Sequence, residues 1–227
     1  MQYRILQYCT NDNFHGDDYF AKVTTDVDYA LFQRLSIKNE IPLIKELHLE
    51  RSTSDISDSL YVGVARFTDT YEFSSQVLYD LPSKYIVNAT GNKFQGATAL
   101  CTEVDKIVFC SVLPCYPNRQ DGGTITSKDT LVDVEFLLSK LIHTKCIIAG
   151  DFHHKPGDYK ELDELIKDYG FSSYLDGHDT FVNPQSEHKF NLDRMISNIP
   201  ALIVDNVIVH QPDVPSRHLA ITYDMKF

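Results

Sequence analysis

The 227 residues carry 21 Lys+Arg against 32 Asp+Glu, a formal net charge of −11, with 43% hydrophobic and 23% charged residues. That apolar share supports a sizeable core and excludes a disordered chain, and no window reaches the roughly 18 uninterrupted apolar residues of a membrane span. The acidity weighs against a generic nucleic-acid binder, whose footprint should be basic.

RILQYC predicts an opening strand, and MQYRILQYCTNDN around it turns polar too soon for a secretory leader. A polar stretch follows from Asn11 to Thr25. DVDYALFQRLSIKNE sets Tyr29, Leu31, Phe32 and Leu35 at helical spacing behind acidic residues and predicts a helix. IPLIKELHL is strand-like at its start, and YVGVARF and FQGATALCTEV predict further strands. KIVFCSVLPCY predicts a buried strand ending at Pro117. DTLVDVEFLLSKLIH repeats apolar residues at i, i+3, i+4 and i+7 and predicts a helix. TKCIIAGDF is an apolar strand that ends in a carboxylate. YKELDELIKDYGF predicts a second amphipathic helix stopped by Gly170, and NLDRMIS, ALIVDNVIVH and RHLAITYDM close the chain as strands.

Five cysteines without a Cys-x-x-Cys pair point to a reducing, intracellular setting, cytoplasmic or nuclear rather than secreted, with no structural zinc. Mixed strands with two to three inserted helices, and no repeat or linker, predict an α/β fold in one domain over residues 1–227. Two packed mixed β-sheets with helices on the outside accommodate this order.

Four segments hold residues suited to chemistry. CIIAGDFHH places Asp151 at the C-terminal end of a central strand, where α/β architectures put ligands. Gly150 before it frees space for a close backbone approach, and His153 follows. An ordinary polar turn after a strand has the same appearance. In NLDRMIS, period-2 alternation puts Asp193 on the face of Met195, towards a partly buried side, where a carboxylate needs a partner. In PSRHLAI, His218 opens a strand, and beside a carboxylate it can carry a proton near neutral pH. Glu46 interrupts the apolar pattern of IPLIKELHL and is a candidate ligand for a hard cation, or else a solvated surface residue.

In order, ILQYCTN, IKELHL, YVGVARF, SVLPCYPN, IIAGDFHH, HDTF, LDRMIS and PSRHLAI resemble the endonuclease/exonuclease/phosphatase superfamily. The resemblance spans about Ile5 to Ile221 and lies nearest abasic-site endonucleases and the endonuclease domains of non-LTR retrotransposons. It implies the deoxyribonuclease I-like four-layer α/β sandwich. It also implies that Glu46, in the segment that usually reads Leu-Gln-Glu, and Asn11 hold Mg²⁺ or Mn²⁺. Asp151 matches the aspartate of Gly-Asp-x-Asn that orients the nucleophile, and Asp193 matches the partner of the terminal histidine, His218. Asn118 matches a phosphate-contacting asparagine, with Tyr116 one position from the family's usual tyrosine. Three departures stand out. Cys9 occupies the first-strand asparagine position, His153 the asparagine of Gly-Asp-x-Asn, and Arg217 the aspartate before the terminal histidine. His153 can still hydrogen-bond a phosphate, and Arg217 can contact one directly.

The implied activity is divalent-metal-dependent hydrolysis of nucleic-acid phosphodiesters, DNA ahead of RNA, by in-line attack of water. The departures support a second reading, a catalytically decayed member that binds nucleic acid or protein. A phosphatase for lipid or inositol phosphates ranks below both. The acidic balance argues against tight nonspecific binding, leaving affinity to a patch such as Arg119, Lys155 and Arg217 and targeting to a partner or fused domain.

Overall fold

The computed structural model describes residues 2–10, 17–36, 44–51, 60–85, 97–114, 127–153, 159–183, 186–211 and 218–227. In chain order the first half forms β1 (Gln2–Cys9), α1 (Asp17–Val23), β2 (Tyr29–Ser36), β3 (Glu46–Arg51), β4 (Leu60–Arg66), β5 (Ser75–Asp80), β6 (Thr98–Val104) and β7 (Ile107–Leu113). The second half forms α2 (Ser127–Leu141), β8 (Cys146–Asp151), α3 (Lys160–Asp168), β9 (Ser172–Ser173), β10 (Phe181–Val182), β11 (Lys189–Phe190), β12 (Asp193–Ser197), β13 (Ile203–His210) and β14 (Ala220–Lys226). One six-stranded sheet has the order β13-β14-β1-β2-β4-β3, and a second has β5-β6-β7-β8-β12-β9; β10 and β11 form a small hairpin pair.

Alternation along the strands divides the apolar residues into three layers of packing. Ile5, Leu31, Val64, Phe109, Ile147, Met195 and Tyr223 meet between the two sheets. On the outside of the first sheet, Phe20 and Val23 of α1 cover Tyr8, Phe32 and Leu35. Outside the second, Val134 and Leu138 of α2 and Leu162 and Ile166 of α3 cover Cys146 and Ile148. The result is the expected four-layer α/β sandwich, helix on sheet on sheet on helix. The buried stripe Thr130, Val134, Leu137, Leu138 and Leu141 explains why α2 forms where its periodicity predicts it. α3 stops where expected: Gly170 takes φ +77°, and its N–H donates to Lys167 O.

Three local readings change. Residues 29–36 are the strand β2 rather than a helix, and the helix α1 lies in the stretch that reads as polar. Tyr29 and Leu31 face the inter-sheet core while Ala30, Phe32 and Leu35 face α1. A strand buried on both faces has no polar side to reveal its period. A bulge between Phe32 and Leu35 then shifts the phase and imitates helical spacing. In β12 neither face is exposed, so Asp193 and Arg194 are both fully buried; the Arg194 guanidinium pairs with Asp163 at 2.5 Å. Among the described residues, no helix is long and apolar enough to cross a membrane.

Candidate active site

Topology brings three distant segments to one end of the sandwich. β8 runs antiparallel to β12 with Asp151 opposite Asp193, and β14 runs antiparallel to β1 with Ile221 opposite Gln7. Asp151 at the end of β8, Asp193 at the start of β12 and His218 just before β14 therefore converge beside Cys9, the last residue of β1. His218 Nδ1 lies 3.0 Å from Asp193 Oδ2 and its Nε2 lies 3.4 Å from Asp151 Oδ2, so the imidazole sits between two carboxylates. His153 takes the other oxygen of Asp151: its backbone N–H donates to Oδ1 at 3.0 Å, and its Nδ1 lies 3.1 Å from the same atom. His153 holds φ +58° to do so, a left-handed conformation that a non-glycine residue adopts at a cost. Asp151, Asp193, His218 and Cys9 are all buried.

Burial and charge pull these groups apart. Burial alone would raise Asp151, but the charges of His153 and His218, a hydrogen bond from His153 and the charge of Arg34 outweigh it and hold the carboxyl well below the usual range. Burial raises Asp193, with His218 and the Thr180 hydrogen bond opposing it in part. For His218 burial acts downward, yet Asp193 and Asp151 prevail and raise it above an ordinary histidine. Two carboxylates in one site are thus given different proton affinities, the pattern by which acid and base roles separate.

Several supporting residues carry no signal in the sequence reading. Gln7 of β1 donates to Gly150 O at 3.4 Å and Arg194 O at 3.1 Å, and Gln33 of β2 donates to Ser111 Oγ at 2.9 Å and Ala149 O at 3.2 Å. These two buried amides tie the first sheet to the strand that ends in Asp151. A buried glutamine inside an otherwise apolar strand is the sign that could have found them. From the segment HDTF, the Thr180 hydroxyl accepts the Asp193 N–H at 3.0 Å, and Phe181 packs edge-on against His218 with centroids 5.0 Å apart.

Glu46 is elsewhere. It stands opposite Arg66, which stands opposite Tyr29, whereas Cys9 stands opposite Gln33. Four residues of strand, roughly 13 Å, and two intervening strands separate Glu46 from the Cys9 level. Its carboxylate is taken by Arg66 Nε at 3.1 Å and His48 Nε2 at 3.2 Å. Glu46, expected to hold a metal with Asn11, thus stands away from the Asp151 cluster with its carboxylate in ion pairs to Arg66 and His48. The segment that abuts the cluster is Phe32-Gln33-Arg34, which keeps the glutamine of Leu-Gln-Glu and places Arg34 after it. Asn11, Tyr116, Asn118, Arg119, Lys155 and Arg217 lie outside the described residues.

No protein-family model matches the chain, and no curated protein matches it in sequence. Solved structures do. An endonuclease/exonuclease/phosphatase protein from Beutenbergia cavernae superposes with TM-score 0.76 at 14% identity, over 99% of this chain and 71% of that one. The endonuclease domain of TRAS1, a telomere-specific non-LTR retrotransposon, gives TM-score 0.65 at 14% identity over 99% of both chains. D. rerio TDP2 complexed with a single-strand DNA product gives 0.65 at 11% over 100% of this chain and 99% of that one. The chain has the endonuclease/exonuclease/phosphatase fold.

Within the endonuclease/exonuclease/phosphatase fold the resemblance implies a divalent metal, so the donors here must be weighed against one. All four oxygens of Asp151 and Asp193 face His153 or His218, and the charge of Arg34 reaches both Asp151 and His218. Cys9, Asp193 and His218 do offer ligand atoms within 4.8 Å of one another. A thiol and an imidazole suit a softer ion than Mg²⁺ or Mn²⁺, which take oxygen ligands. The described donors do not fit a hard divalent cation.

Proposed function

We propose that the chain hydrolyses phosphodiester bonds, with nucleic acid as its substrate and DNA ahead of RNA. The observation that carries this reading is the buried Asp151–His218–Asp193 line at one end of the sandwich. Burying two carboxylates and two imidazoles is poor value for stability, and groups with displaced proton affinities cluster at sites of reaction. Two solved neighbours, the endonuclease domain of TRAS1 and TDP2 holding a single-strand DNA product, support the substrate class.

Asp151, kept as a carboxylate, accepts a hydrogen bond from water and aligns it for in-line attack on phosphorus. His218, kept protonated, turns its Nε2–H from the long 3.4 Å contact with Asp151 onto a non-bridging oxygen as charge builds there. Asp193 fixes the ring through Nδ1, and His153 fixes the Asp151 carboxylate. Arg217, Asn118 and Tyr116 are proposed to contact substrate. The acidic surface keeps long-range steering weak, in line with targeting by a partner or fused domain.

Incubation of the purified chain with labelled single- and double-stranded DNA and RNA tests the reading. Cleavage that disappears in Asp151→Asn is the expected result, and absence of cleavage in the wild-type chain would overturn it in favour of a binding module.

The pH profile of kcat/KM is a further expectation. His218 must be protonated, so activity should fall on the alkaline side through a pKa above the ordinary ~6.5. Asp151 stays ionised far into acid, so no acid limb is expected near pH 4 to 5 from this group. Stability has matching signs: the His218 contribution is complete below ~6.5 and fades as pH rises through its folded value, while that of Asp151 is complete above ~3.9 and fades in stronger acid. A profile that instead rises through neutrality to an alkaline plateau would show that His218 works as a neutral base.

A further inference from the structure

We propose that Arg34 grips the phosphoryl oxygens at the place where nucleases of this fold set a divalent cation, so that this site binds phosphate without metal. The inference deepens the phosphodiesterase reading by naming what neutralises the phosphate.

The backbone of β2 is built to present this residue. Tyr29, Leu31 and Gln33 point between the sheets, and Ala30, Phe32 and Leu35 point to α1. Strict alternation would return residue 35 to the inner side; one residue has been inserted between Gln33 and Leu35. That residue is Arg34, with φ +54°, at the register shift against β4. A left-handed, β-branched-free but bulky arginine in a bulge is a local cost that propensity does not explain, and bulges of this kind re-aim a side chain beside a reactive site.

The position is fixed from the neighbouring strand. The Thr10 N–H donates to Gln33 O at 2.9 Å and the Thr10 hydroxyl donates to Arg34 O. Thr10 follows Cys9, whose Sγ lies 4.0 Å from Asp151 Oδ2. The Arg34 backbone is therefore anchored beside the Asp151–His218–Asp193 cluster, close enough for its charge to act on Asp151 and His218. It also follows Gln33 as the glutamate follows glutamine in the Leu-Gln-Glu segment. On that correspondence a cation stands where the segment has its carboxylate. A guanidinium is permanently charged, and its planar fork matches two phosphoryl oxygens at once. It supplies directly the positive charge that a carboxylate would otherwise recruit through a metal.

Calorimetric titration of chelator-treated protein with inorganic phosphate, in EDTA, is the test. Saturable binding is expected in the wild-type chain, weakened about tenfold or more in Arg34→Ala and Arg34→Gln and less in Arg34→Lys. Circular dichroism and a thermal melt identify any variant that has lost its fold; Arg34→Gln keeps the side-chain length should alanine loosen the bulge. Binding that is absent in EDTA, that appears only when Mg²⁺ or Mn²⁺ is added, or that is unchanged in folded Arg34→Ala and Arg34→Gln overturns the proposal. Hydrolysis measured on the same samples separates the two claims. Arg34-dependent phosphate binding in EDTA with no turnover, with or without added Mg²⁺ or Mn²⁺, sinks the hydrolase reading and leaves Arg34 as the phosphate anchor. Turnover with a divalent metal but no phosphate binding in EDTA sinks the Arg34 proposal and leaves the hydrolase reading.

Discussion

His218→Ala is expected to lower kcat for phosphodiester cleavage by about 10²–10³-fold, the usual cost of removing one preorganised donor from a developing oxyanion. The size of the effect follows from burial. His218 sits between Asp193 at 3.0 Å and Asp151 at 3.4 Å with little exposure to water, so its N–H is oriented before substrate arrives and no reorganisation is needed. KM should change less than kcat if the hydrogen bond strengthens only as charge builds on the phosphoryl oxygens. Asp193→Asn removes the larger of the two influences that raise His218. It should therefore move the alkaline limb of the pH profile to lower pH as well as reduce kcat, a change that a purely structural role would not produce. The double variant His218→Ala/Asp193→Asn should be scarcely slower than His218→Ala alone, because the two residues act as a unit. Steady-state kinetics across pH on all three variants checks each statement, and additive losses would contradict the coupling.

Gly150→Ala is expected to cost about 3 kcal/mol of stability, at the upper end for overpacking. An added Cβ would stand 2.0 Å from Val112 O and 2.7 Å from Val112 Cγ1. Val112 is the direct partner of Gly150 in the parallel β7–β8 ladder, so the obstructing atom is backbone and cannot rotate away. The carbonyl of Gly150 itself accepts from the Gln7 amide of the opposite sheet, so separating β7 from β8 would disturb the inter-sheet link beneath Asp151. A denaturant titration should show a lower midpoint with an unchanged slope. A midpoint equal to that of the wild-type chain would contradict the account of why glycine precedes Asp151.

The fold and half of the site are legible in the residues because their signals are strong and local. CIIAGDF is a short apolar run that stops in a carboxylate, and the stop is visible in the residue types; the same holds for His218 at the head of RHLAITYDM. Their pairing needs only the order of segments. What fails is the region where burial on both faces removes the polar half of the pattern. In β2 the inner and outer cores claim successive residues, the bulge breaks the phase, and the segment passes for a helix. With β2 passing for a helix, Glu46, which interrupts an apolar strand-like run further along the chain, takes the place of the metal-ligating glutamate, and Arg34 goes unmarked. Gln7 and Gln33 stay hidden for a related reason: a glutamine in a strand looks like a surface residue until the opposite sheet supplies carbonyls for its amide. Non-local partners decide these positions, and composition or spacing within one segment does not contain them.

The central claim is that the buried Asp151–His218–Asp193 line performs phosphodiester hydrolysis. Single-turnover cleavage of an end-labelled DNA oligonucleotide, compared between the wild-type chain and Asp151→Asn at matched folding, tests it most directly. Product is expected in the wild-type reaction, with a rate lower by about 10² or more in the variant. Equal rates in the two proteins, or no product from the wild-type chain, would contradict it.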